Sequence, residues 1–128
     1  MPSVNEIKDN DNVKHKIDEE VKRLNKVFDN VPKETKSSIQ SLIHNAAFMS
    51  VILDEIQNHI TINGVVSEYQ NGANQWGTKK SPEVEIYNTM IKNYTNVVKQ
   101  LTDIIQRVGL DEENDGFDEF LKKRMDMN

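Results

Sequence analysis

"SPEVEIYNTMIKNYTNVVKQLTDIIQRVGL", Ser81 to Leu110, decides the fold. Ser81 suits a helix cap, Pro82 the first helical position, and Glu83 and Glu85 the positive end of a helix dipole. Val84, Tyr87, Met90, Ile91, Tyr94, Val97, Val98, Leu101, Ile104, Ile105 and Val108 then give one broad apolar face. Gly109-Leu110 reads as a left-handed C-terminal cap with its following hydrophobic contact. The expectation is a helix over Pro82–Val108.

Upstream lies the polar segment "QNGANQWGTKK", whose composition argues against a regular element, with Trp76 as a docking anchor. Before it, "HITINGVVSEY" sets Asn63-Gly64 between β-branched arms, the signal of a short hairpin with a type I′ turn. Further back, Ile39, Leu42, Ile43, Ala46, Met49, Ser50, Leu53, Ile56 and Ile60 make one helical face. This second helix is expected from Pro32 to about Asn58. Phe48, Val51 and Ile52 are apolar on its opposite side, and a helix apolar all round is buried on more than one side. A second protein surface is the simplest cover for them.

The first helix is expected over Asp11–Asn30, where Val13, Ile17, Val21, Leu24, Phe28 and Val31 share a stripe. Its outer face pairs Asp18 with Lys22 and Glu19 with Arg23 at helical spacing. Residues 1–10 read as a disordered arm. At the other end, residues 110–128 form an acidic linker and a short amphipathic tail, with Phe117, Phe120, Leu121 and Met125 on one face. So short a helix is marginal alone, so it packs on the body or folds onto a partner. The fold class is therefore mainly α. An N-terminal helix and a long helix pack as an antiparallel pair, followed by a small β-hairpin or loop, a third long helix, and a flexible tail with a short helix. Residues 11–109 make the single domain.

Chemistry is sparse along this chain. There is no cysteine, hence no disulfide framework or thiolate metal site. His15, His44 and His59 have no ligand spacing. Asp111, Glu113, Asp115 and Gly116 mimic the start of a calcium loop, but Lys122 stands where the bidentate Glu belongs. "GANQWGTKK" lacks phosphate-loop spacing, and no serine has a nucleophile-elbow context. No enzyme activity, metal or cofactor is expected. No apolar run approaches a membrane span, so a soluble intracellular protein with no membrane partner is expected.

The net charge of −5 argues against a simple monomeric DNA-binding domain, which would be basic. Local basic clusters remain: Lys14, Lys16, Lys22, Arg23 and Lys26 on the first helix, Lys33 and Lys36 at its turn into the second, and Lys79 and Lys80 before the third. Acids interleave the first group, so a solvated face is the plainer reading of it.

The stretch "YQNGANQWGTKKSPEVEIYNTMIKNYTNVVKQL" resembles the loop-plus-helix of a class of small bacteriophage terminase subunits. Tyr69, Asn71, Gly72, Lys80, Ser81, Pro82, Tyr87, Tyr94 and Leu101 carry the likeness. It covers about Ile39 to Leu101 and is most specific over Ser67 to Leu101. "DGFDEFLKKR" is similar to the acidic-aromatic ends of the same class.

The resemblance implies a non-catalytic, ring-forming subunit of a viral DNA-packaging motor in the host cytoplasm. Such a subunit binds the packaging-initiation site on double-stranded viral DNA. It then recruits and modulates a large subunit carrying ATPase and nuclease, and in some relatives a separate HNH nuclease cooperates. On that reading Lys14, Lys16, Lys22, Arg23, Lys26, Lys79 and Lys80 are the candidate DNA contacts. Phe48, Val51, Ile52, Trp76, Tyr87 and Tyr94 are the candidate subunit interface. Phe117, Phe120 and Leu121 would dock on the large subunit. The competing reading is a small helical adaptor or regulator that binds one protein partner and no DNA.

Overall fold

Leu24 and Phe28 lie fully buried and Val13, Ile17 and Val21 half-buried, so the apolar stripe of the first helix does seat it. The computed structural model describes residues 4–70, 76–108 and 115–125. The elements are α1 (Val4–Val27), α2 (Lys33–Ser38), α3 (Gln40–Asn63), β1 (Val66–Gln70), β2 (Trp76–Lys80), α4 (Pro82–Val108) and α5 (Asp115–Met125). The fold is mainly α, as the periodicity indicated. α3 is its central element, with α1 along one side and α4 along another.

The direction of the helices follows from their contacts. Lys16 meets Glu55 at 3.0 Å and the Gln40 amide donates to the Asn25 side chain at 2.8 Å. Chain numbers rise on α1 as they fall on α3, so the two are antiparallel. The Ser81 N–H donates to the Val65 carbonyl at 2.9 Å. The end of α3 and the start of α4 therefore lie together, and α4 returns antiparallel to α3. Ala46 and Ala47, both fully buried, keep the helices close where they meet. Ile43, Leu53, Leu101 and Ile105 fill the interior around them.

Several boundaries differ from expectation. α1 starts at Val4, inside the stretch read as a disordered arm, and ends at Val27 rather than Asn30. Helix nucleation is costly but propagation is cheap, and no Gly or Pro stands between Ser3 and Val31 to stop it. The expected single helix from Pro32 is divided: α2 ends at Ser38 and α3 starts at Gln40. Ile39, with φ −96° and ψ 1°, is drawn into the core at the break. The Ser38 hydroxyl donates to the Thr35 carbonyl there, a local bond of the kind that competes with the helix ladder.

The Asn63-Gly64 hairpin turn is not formed. α3 continues through the β-branched Ile60-Thr61-Ile62 to Asn63, and Gly64 terminates it, donating its N–H to the Ile60 carbonyl at 2.7 Å. The helix already packed upstream overrides local strand preference. The hairpin forms one segment later, with β1 antiparallel to β2 and Val66 opposite Lys80, Glu68 opposite Thr78 and Gln70 opposite Trp76. Part of the segment read as irregular is thus a strand, because pairing supplies what its composition does not. Residues 71–75 of that loop, the Gly109-Leu110 cap and the 110–114 linker lie outside the described residues.

Gly64 has φ +82° and ψ 175°, a region open essentially to glycine alone. A Cβ placed there would meet nothing within 4 Å, so only backbone strain opposes a side chain. Gly64→Ala is expected to lower stability by about 1–3 kcal/mol in urea unfolding. A change below about 0.5 kcal/mol would mean that the junction relaxes freely.

α4 begins at Pro82, the position its sequence indicated. The Ser81 carbonyl accepts the Val84 N–H at 3.0 Å, while the Ser81 hydroxyl donates to the Glu83 carboxylate. That hydroxyl, and then the backbone N–H of Glu83, hold the Glu83 carboxyl below the ordinary range. A negative charge therefore already stands at this helix end.

The tail is not free among the described residues. α5 packs against α1, and Phe117 and Phe120 are buried with Leu121 half-buried beside them. Phe117 meets Phe28 edge-on at 6.4 Å, and Phe120 lies 6.2 Å from Tyr94.

Candidate assembly surface

Two long helices packed side by side leave a flank, and on this chain the flank of α3 and α4 is apolar and uncovered. Asn45, Phe48 and Met49 from α3 and Ile86, Met90 and Asn93 from α4 line an open groove of about 540 Å³. Thr89 and Glu85 complete its wall, and Glu85 is its one charged group. Phe48 is 46% exposed and Ile86 51% exposed on its rim. Aromatic and Met side chains with few charges are the composition of a protein-interface centre. Neither Ile86 nor the two Asn residues stood out in the sequence. Ile86 lies beside the main α4 stripe, one position before Tyr87, and only the packing shows that α3 leaves it bare.

The six residues expected at a subunit interface separate. Phe48 stays exposed and Ile52 half-exposed. Val51 is 3% exposed and Tyr94 is in the core, so neither offers a surface. Tyr87 is half-buried against the core. α1 and α4 flank α3 from two sides, which covers more of its far face than one partner helix could. Trp76 lies on β2, and its side chain is outside the described residues.

A second uncovered spot lies where α3 gives way to the hairpin. Ile62, Val65 and Val66 are 80%, 55% and 52% exposed, and the segment Thr61–Ser67 carries no charge. The sequence hid this spot by resembling the arms of a turn.

The basic residues of α1 do not converge. At about 100° per residue, Lys14, Lys22, Lys26, Arg23 and Lys16 span roughly 200° of the helix circumference. Lys16 pairs with Glu55, and Arg23 lies 3.5 Å from the buried Glu20. Lys14, Lys22 and Lys26 are exposed. At the following corner, Lys36 pairs with Asp29 at 2.7 Å. Lys79 and Lys80 occupy β2 opposite Ser67 and Val66, with their side chains outside the described residues.

Phe117 and Phe120, expected to dock on a partner, are part of this chain's own core, and Leu121 is half-buried. No group of three His, Asp or Glu side chains that could hold a metal ion occurs among the described residues. Nor is any helix among them long and apolar enough to cross a membrane. Compared with known proteins, the chain matches no family model, no curated protein and no solved structure.

Proposed function

We propose that this chain is a non-catalytic assembly subunit, and that its task is that of the small subunit of a viral DNA-packaging terminase. It forms a ring, binds the packaging-initiation site on viral DNA, and recruits the ATPase-nuclease large subunit. The observation that carries the assembly part is the charge-poor α3–α4 groove with Phe48 and Ile86 bare on its rim. The terminase part is supported by the resemblance over Ser67 to Leu101, whose helix supplies half of that groove. DNA contact on this reading is a sum of weak phosphate contacts, one modest cluster per subunit, multiplied by the ring.

The test is duplex DNA binding across a salt series. The expected result is binding that weakens steeply with salt. Lys22→Glu combined with Arg23→Glu should weaken it by about tenfold or more at low salt. Unchanged binding by an intact oligomer of that variant would remove α1 as the DNA face.

A second reading has an observation of its own. The α1 cations are spread around the helix, and two of them lie against acids. That suits an adaptor that binds a protein partner and no DNA. Absence of DNA binding at every salt concentration would favour it.

A further inference from the structure

A chain of net charge −5 carries a net repulsion between its own copies. Where it meets itself, the contact must avoid setting acid against acid. Two exposed apolar features meet that condition. One is concave: the α3–α4 groove, uncharged but for Glu85. The other is a cluster of exposed branched side chains, here called the knuckle: Ile62, Val65 and Val66 at the end of α3 and the start of β1, set in the charge-free run Thr61–Ser67.

We infer that the knuckle of one copy seats in the α3–α4 groove of the next, so that the chain assembles head to tail. The inference rests on the assembly reading above and names the two halves of its contact. The sizes agree. The groove, at about 540 Å³, is several times the ~150 Å³ cavity that takes a benzene ring, so it has room for a few aliphatic side chains. The chemistry agrees as well: branched aliphatics enter a wall of Phe48, Met49, Ile86 and Met90, and the methionines adapt to them. Asn45 and Asn93 stand at the wall as neutral hydrogen-bonding groups for the backbone around Asn63 and Gly64.

A contact between two different patches is heterologous. Each copy keeps one unused half, so association continues until rotation closes it into a ring. An isologous dimer would instead use the same patch on both copies and stop at two. Phe48, Ile62 and Val66 are all exposed, so substitutions at either patch are expected to leave the fold intact.

The decisive experiment uses two variants of the full chain, Phe48→Glu and the double variant Ile62→Glu/Val66→Glu. Circular dichroism checks the fold, and light scattering with native mass spectrometry reads the assembly. The wild type should be a closed multimer, and each variant alone a monomer. Mixed in equal amounts, they should give a one-to-one heterodimer and nothing larger. The intact knuckle of the first fits the intact groove of the second, and both remaining halves are blocked.

A wild-type multimer whose two variants give no heterodimer when mixed overturns the head-to-tail contact but leaves the assembly reading in place. The same holds if both variants remain fully assembled. A wild type that is monomeric at hundreds of micromolar overturns both, and leaves the groove to another protein.

Discussion

Phe28→Ala should lower the stability of the chain by about 3–5 kcal/mol, which is the loss seen when a fully buried phenylalanine is truncated. Phe28 is 0% exposed. It stands just past the last residue of α1, in the corner where Val31 and Ile39 also turn inward. Its ring meets Phe117 edge-on at 77°, so it ties the end of α1 to α5. Domains of this kind hold roughly 5–15 kcal/mol in total, so the variant would sit near the edge of folding. Urea unfolding followed by circular dichroism reads the effect, with a midpoint lower by at least about 1 M. Phe28→Leu, which keeps most of the apolar volume, should cost clearly less. A loss below about 1 kcal/mol for the alanine variant would mean that the corner is open and α5 not attached there.

The helices were legible because burial imposes period on sequence. The stripe Val13, Ile17, Val21, Leu24, Phe28 could seat only one face, and it does. The α4 start was legible because Ser81-Pro82-Glu83 combines a local turn, a fixed φ and a charge that suits the dipole. What could not be read was decided by non-local packing. Ile60-Thr61-Ile62 carries strand propensity, yet α3 runs through it because the helix is already packed upstream. Trp76-Gly77-Thr78 looks irregular, yet it pairs with β1.

The candidate surface was half legible for the same reason. Phe48 and Val51 look alike in sequence, both off the main stripe of α3. Which of them is bare depends on where α1 and α4 come to rest: Val51 is covered and Phe48 is not. Ile86 and Val66 acquire meaning only once the groove and the junction exist. The α1 cations proposed as DNA contacts fare differently. Their charges are legible, but their arrangement around α1 shows that helical neighbourhood in sequence is not convergence in space.

Phe120→Ala is the second large effect, about 3–5 kcal/mol, and it bears on how the tail can act. Phe120 is 1% exposed, lies 6.2 Å from Tyr94 and stacks with Phe117 at 6.4 Å. A tail that docks on a larger partner through Phe117, Phe120 and Leu121 must first leave this core and uncover Phe28 and Tyr94. The partner then has to supply the lost burial as well as its own binding energy. Tail docking and body stability therefore oppose one another, and a double-mutant cycle measures the link. Tyr94→Leu with Phe120→Ala should be less destabilising than the sum of the singles, with a coupling of about 0.5–1.5 kcal/mol for the ring pair. If instead Phe120→Ala costs under about 1 kcal/mol and shows no coupling to Tyr94, α5 is not seated in solution. The three residues are then free to meet a partner without leaving anything behind.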